Sequence, residues 1–315
     1  MTPVPRVSVV VVGSVAFDSI QTPDGALENA LGGSAVHFSM AASYFGGVQL
    51  VGVVGEDFPV EHRQLLTDRG ICIDGLEVVE GGKTFRWSGK YFDDMDRRET
   101  LSVDLNVFEN FRPDLPGSYR NAQYLFLGNG APVTQASVLD QMGSRPFTVV
   151  DTMDLWIDIA RPDLESLVSN VDALVLNDEE SQQLSGEKNV VLAGRKILAM
   201  GPRYVITKRG QHGAMIFHAD GEVTLPAIPL GNVVDPTGAG DSFAGGMMGC
   251  LLRSDRTDLQ GIKVAVAWGT VTASFCCQGF GVEGLKKISP TDLQERFGQY
   301  RNMLELDPVE IPQIT

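Results

Sequence analysis

The apolar residues of this chain fall in short runs broken by glycines and polar turns. Residues 7–12 are a valine-rich run that stops at Gly13. Near-continuous apolarity of that length suits a central strand covered on both faces, as in a parallel sheet. Similar runs at 48–54, 71–79, 123–127, 147–150, 173–176 and 203–207 predict further strands. Between them the spacing turns helical: from a Ser34 cap through Phe38, Ala41, Ala42 and Phe45 to a Gly46–Gly47 stop, then at about 59–69 and 133–142. Strands at 213–217 and 222–225 are followed by helices after Asp241, at 261–275 and at 291–304. This alternation predicts an α/β fold with a central, largely parallel sheet flanked by helices.

At 83–106 the period changes. Phe85, Trp87 and Tyr91 alternate with Arg86, Ser88 and Lys90, and Leu101, Val103 and Leu105 alternate with Thr100, Ser102 and Asp104. A period of two marks half-buried strands, so two strands joined by the charged stretch 93–99 form a small sheet outside the main core. The rings serve either to pack that sheet on its neighbours or to stack on a ligand. Residues 21–31 are polar and read as turns.

Charge narrows the partners. With 315 residues and a net charge of −15, the chain can bury a large core but suits neither duplex nucleic acid nor an anionic membrane. No run approaches a membrane span, and the start lacks the pattern of a secretory signal. Cys72, Cys250, Cys276 and Cys277 lack metal-ligand spacing, as do His37, His62, His212 and His218. Reduced thiols in a cytoplasmic protein are the expectation.

The stretch 235–246, Asp-Pro-Thr-Gly-Ala-Gly-Asp-Ser-Phe-Ala-Gly-Gly, reads as a turn entering a helix whose apolar stripe is Phe243, Met247 and Leu251. The small residues Gly238, Ala239 and Gly240 leave N–H groups free to face an anion, and Asp241 stands beside them. Asp241 is then either a cap or a general base that takes a proton from a hydroxyl. Gly245, Gly246 and Gly249 would weaken an isolated helix, so close backbone packing is expected there. No GxxxxGK[ST] loop occurs, so a phosphate site has to rest on this helix start.

Other candidates lie just beyond predicted strands. Asp18 follows the first strand, where α/β proteins bind ligands, and is otherwise a surface turn residue. Gly32 and Gly33 either solve a turn or let a substrate approach the backbone. Asn129 sits in a loop without GxGxxG spacing and could meet substrate hydroxyls. Asn177 and Glu180 either open an acidic helix or hold Mg2+ through water. Lys208, beside Arg209 and Gly210, either meets phosphates or is solvated.

The 235–246 string closely resembles the C-terminal signature of the ribokinase-like family of ATP-dependent carbohydrate and nucleoside kinases. Gly32–Gly33 and the Asn177 to Glu180 spacing resemble two further motifs of that family. The resemblance runs over essentially the whole length and implies a core of 1–14, 32–75 and 113–315. A lid of 15–31 and 76–112 would cover the phosphoryl acceptor. It implies ATP and Mg2+ as cofactors, with a monovalent cation such as K+ near the loop 276–281. It makes Asp241 the base and puts an anion hole at the amides of Ala239, Gly240 and Asp241, with Gly238 opening the turn. Asn177 and Glu180 would serve Mg2+, and Thr207, Lys208, Gly210 and Gly213 the nucleotide. Asp18, Gly32, Gly33 and Asn129 would serve the substrate.

Two carboxylates in the acceptor pocket favour a neutral sugar or nucleoside, and the lid rings lean toward a nucleoside such as adenosine. Sugar-phosphate and sugar-acid kinases, a pyridoxal-type kinase and a non-catalytic sugar-binding protein are the alternatives. A homodimer through the lids is a further expectation, since the small sheet needs its apolar side covered.

Overall fold

The computed structural model describes residues 8–95 and 97–305. Val7, the expected start of the first strand, and the tail after 305 lie outside the described residues. The chain runs β1 (Ser8–Val12), β2 (Ala16–Thr22), β3 (Gly25–Gly32), α1 (Ser34–Ala42), β4 (Gly47–Gly55), α2 (Val60–Asp68) and β5 (Ile71–Val79). Next come β6 (Phe85–Tyr91), β7 (Arg98–Asp104), β8 (Tyr124–Leu127), α3 (Pro132–Leu139), β9 (Phe147–Asp151), α4 (Asp154–Ile159) and α5 (Arg161–Val168). It continues as β10 (Ala173–Asn177), α6 (Asp178–Ser185), α7 (Val190–Leu198), β11 (Tyr204–Lys208), β12 (Ala214–His218) and β13 (Gly221–Leu225). The last helices are α8 (Ala239–Ser254), α9 (Leu259–Cys276), α10 (Glu283–Lys286) and α11 (Pro290–Leu304).

Nine strands form the main sheet in the order β13-β12-β11-β10-β9-β8-β1-β4-β5. All pairings from β11 to β5 are parallel, and β12 and β13 add an antiparallel edge. The valine run explains the middle position of β1. Val9 and Val11 join the core on one face, with Phe38 of α1, Met247 of α8 and Val271 of α9. Val10 and Val12 join the core on the other, with Val138 of α3, Leu164 of α5 and Ile197 of α7. A strand apolar at every position can be covered only from both sides.

The glycines of α8 sit where helices touch. A Cβ on Gly245 would strike the Phe38 carbonyl of α1, and one on Gly246 would strike the Thr272 hydroxyl of α9. Their absence lets α1 and α9 close on α8, as the sequence predicts, and this holds the start of α8 at the carboxyl end of the sheet.

A second sheet, β3-β2-β6-β7, forms the lid. It has four strands where alternation marks only two. Residues 21–31, expected as turns, supply the end of β2 and most of β3, an edge strand paired antiparallel from Ala16–Gly32 to Thr22–Gly25. Half of β3 is exposed and only its last two residues are buried, so ladder hydrogen bonds more than burial hold it, and the apolar pattern carries no trace of it. Residues 76–79, expected in the lid, are the end of β5 in the main sheet. No helix among the described residues is long and apolar enough to cross a membrane.

Candidate active site

In a parallel sheet, ligands gather beyond the carboxyl ends of the strands, near the point where connections diverge to opposite sides. Here that point is β1, which lies between β4 and β8. Strand ends there deliver Asp151 from β9, Asn177 from β10 and Lys208 from β11, with Asn177 and Lys208 paired in register. Lys208 reaches toward α8: a Cβ on Gly240 would lie 3.0 Å from its Nζ. Asp241 therefore shares one end of the sheet with Asn177 and Glu180. Two open hollows, of about 980 Å3 between α3 and α5 and of about 720 Å3 near the starts of β8, β9 and β11, are lined by none of these residues.

The start of α8 is a tight turn that leaves backbone N–H groups unpaired among the described residues. Gly238 caps it in the left-handed conformation, φ 73°, and packs on the buried His37 ring with no room for a Cβ. The Ala239 N–H, expected in the anion hole, donates to the Pro236 carbonyl at 3.1 Å, and that of Ser242 donates to Gly238 at 2.8 Å. Among the described residues no partner accepts from the Gly240 or Asp241 N–H. Of the three amides expected to face an anion, two are thus left, because the tight turn uses the third. Asp235 braces the turn, accepting from the Thr237 N–H and, at 2.9 Å, from the Gly281 N–H.

Burial pushes the Asp241 carboxyl up to about 6, and the nearby Asp151 adds to the rise; His37 and Lys208 pull it back. Such a group is ionised at neutral pH yet basic enough to accept a proton.

On the lid side, Asp18 is 5% exposed, and its Oδ2 accepts from the Gly33 N–H at 3.4 Å. The carboxylate fills the space where a Gly32 side chain would stand. Ser14 and Ser34 lock this corner by exchanging N–H to hydroxyl bonds at 3.0 Å. Asn129 accepts from the Trp156 Nε1–H at 3.0 Å and is held against α4.

Of the lid rings, Phe85 stacks on Phe108, and the buried Tyr91 contacts the Thr237 hydroxyl through its own at 3.3 Å. Arg86 is taken up by Asp57 at 3.0 Å, by Asn29 and by the Phe17 face.

On the opposite side, Asn177 and Glu180 form a capping box: Oδ1 of Asn177 accepts from the Glu180 N–H at 2.8 Å, and Oε2 of Glu180 accepts from the Asn177 N–H at 2.7 Å. The capping box uses only one Glu180 oxygen, so the other could take a cation. Burial lifts its carboxyl to about 7, against the pull of Lys208. Among the described residues no three such ligands cluster, so Mg2+ would be held at Glu180 through water, with Asn177 orienting that carboxylate.

Thr207 is fully buried, and its hydroxyl meets Ser181 of α6 at 3.3 Å. Gly210 opens the turn Gly210–His212 after β11, and Gly213 closes against the Leu225 carbonyl. Lys208 is held by Asp151 at 3.3 Å. Burial alone would lower its pKa, but Asp151, Glu180 and Asp241 outweigh this and raise it.

A family model described as pfkB family carbohydrate kinase matches residues 7–287. The chain belongs to the pfkB family. With that membership comes the family's general activity, ATP-dependent phosphoryl transfer to a sugar or nucleoside. A cytidine kinase from Thermococcus kodakarensis is 30% identical over 247 residues, 76% of this chain and 86% of that protein. A nucleoside kinase from Methanothermobacter thermautotrophicus is 28% identical over 290 residues, 86% and 90% of the two chains. The fold matches the structure of Burkholderia thailandensis nucleoside kinase in complex with inosine, with a TM-score of 0.78, 18% identity and coverage of 93% and 99%.

In this pfkB-family chain, sequence reasoning missed three residues at the site. Asp151 ends a strand as Asn177 does, and that position was its signal. Asp235 stands in the signature string itself. His37 lies inside an apolar helix, and nothing in the sequence pairs it with Asp18 or Gly238.

Proposed function

We propose that this kinase transfers the γ-phosphoryl group of ATP to a hydroxymethyl group of a nucleoside, with Asp241 as the base. The observation that carries this reading is the pair of uncommitted N–H groups at Gly240 and Asp241 beside a carboxylate tuned to about 6. Asp241 takes the proton from the acceptor hydroxyl as its oxygen bonds to the γ-phosphorus, and the bond to the β,γ-bridging oxygen breaks to release ADP. The two amides and Lys208 neutralise charge on the group in flight. Bound Mg2+ would offset phosphate charge beside Glu180. Asp18, fixed by Gly33, accepts from acceptor hydroxyls, and Gly210 and Gly213 shape the nucleotide turn. A monovalent cation near 276–281 belongs to the same reading, as does a cytoplasmic location.

Asp18, Asp151, Asp235 and Asp241 make the pocket a poor one for an anionic acceptor, and Arg86 is committed elsewhere. That argues for a neutral acceptor, and the relatives named as cytidine and nucleoside kinases favour a nucleoside. The test is a panel of nucleosides, free sugars and sugar phosphates with ATP and Mg2+, read by product mass and kcat/KM, with Asp241→Asn alongside. A nucleoside gaining one phosphate and a kcat loss of about 10²–10⁴ in the variant are expected. A best substrate that is already phosphorylated, or near-normal kcat in Asp241→Asn, overturns the reading.

We also infer that two copies pair through their lids, because β7 exposes Leu101 and Val103 on one face at 47% and 50%.

A further inference from the structure

We infer that Asp151 is a positioning residue for phosphoryl transfer, one that holds the Lys208 ammonium beside the start of α8 and away from full pairing with Asp241. The inference rests on the phosphoryl-transfer reading above and adds a residue to it.

Asp151 is suited to this task by its place. It is the last residue of β9, 6% exposed, and its carbonyl accepts from the buried Gln135 amide at 2.9 Å, so its backbone is pinned. Its Oδ1 lies 3.3 Å from Lys208 Nζ, across the intervening strand β10. A lysine stem is long and flexible, and its ammonium goes to whichever acceptor is fixed best.

Three carboxylates compete for Lys208: Asp151, Glu180 and Asp241. Pairing with Asp241 would blunt the base, and pairing with Glu180 would compete with the metal. Asp151 is the one that bonds it, and the ammonium then stands next to Gly240, whose N–H is uncommitted among the described residues. A fixed positive charge at that place is worth more than a mobile one, because it needs no rearrangement as the phosphoryl group moves.

The charges facing Asp241 come from four elements: Asp151 on β9, Lys208 on β11, His37 on α1 and Asp18 on β2. Removing the Asp151 charge acts on Asp241 twice in the same direction. A neighbouring negative charge goes, and the released ammonium leans on Asp241 instead. Both favour the ionised base, so the acid limb of the rate profile moves to lower pH. A purely structural role for Asp151 would not move that limb.

The experiment is the pH profile of kcat/KM for the wild type, Asp151→Asn, Lys208→Met and the double variant, with ATP binding measured by calorimetry. In Asp151→Asn we expect kcat to fall about tenfold or more with little change in ATP affinity, and the acid limb to shift downward. In Lys208→Met the limb shifts upward. The double variant loses no more activity than Lys208→Met alone, because the two residues act as one unit.

Should Asp151→Asn fail to fold, the double variant replaces both buried charges together, and its limb must lie below that of Lys208→Met. An acid limb present in the wild type but unmoved by loss of Asp151, or losses that simply multiply, overturns the role of Asp151. A wild type with no acid limb, or an active Asp241→Asn, overturns the base reading instead.

Discussion

His37 shows how one buried side chain joins two parts of a site. Its ring is 1% exposed, with Nε2 3.9 Å from Asp18 Oδ2 and Nδ1 4.0 Å from Cys276 Sγ, and it lies flat against Gly238. Burial pushes its pKa down, but Asp18 and Cys276 outweigh this and lift it well above 6.5. For a histidine raised on folding, the linked stability is complete below the unfolded value and fades as pH rises through the folded one. The imidazolium also lowers the pKa of Asp241. His37→Gln is therefore expected to raise the acid limb of kcat/KM and to raise KM for the acceptor. The limb moves opposite to that of Asp151→Asn, and a pH series on the two variants checks the sign. In the sequence, His37 stands alone within an apolar helix. A histidine's partners there come from distant segments, and no local pattern records them.

At the scale of elements, the cap of α6 bears on both the fold and the proposed metal. Asn177 and Glu180 close a capping box, which stabilises the helix start, and the same spacing was read as a magnesium motif. Folding lifts Glu180 from 4.5 to about 7, mainly by burial. An acid raised on folding stabilises below its unfolded value, and that stability is lost as pH rises toward the folded value. Glu180→Gln keeps the cap but removes the charge. It is expected to melt a few degrees above the wild type at pH 8, by about 1–2 kcal/mol, and level with it at pH 5. Thermal unfolding without Mg2+ at the two pH values tests this. Long apolar runs made β1 and β4 readable, and the clustered glycines marked the close contacts of α8. The short helices α4, α5 and α7 and the strand β3 left little mark, because brief elements give too few positions for a full apolar stripe or a strict alternation.

For the whole molecule, the lid face is the exposed surface with a consequence. Leu101→Lys with Val103→Glu is expected to leave the fold intact and give monomers by sedimentation velocity where the wild type gives dimers. A wild-type monomer at assay concentrations counts against pairing through the lids. The sequence alone determined the layered α/β architecture, since valine-rich runs must be covered on both faces, and it determined the glycine turn that opens α8, since a twelve-residue string carries that turn's geometry within itself. Only the tertiary structure decided that Ala239 gives up its N–H to Pro236, that Asp151 rather than solvent holds Lys208, and that His37 stands between Asp18 and Gly238. Those pairings join residues far apart along the chain. They exist because strand order brings β9, β11, α1 and α8 to one end of the sheet, and strand order is a property of packing that no local stretch encodes.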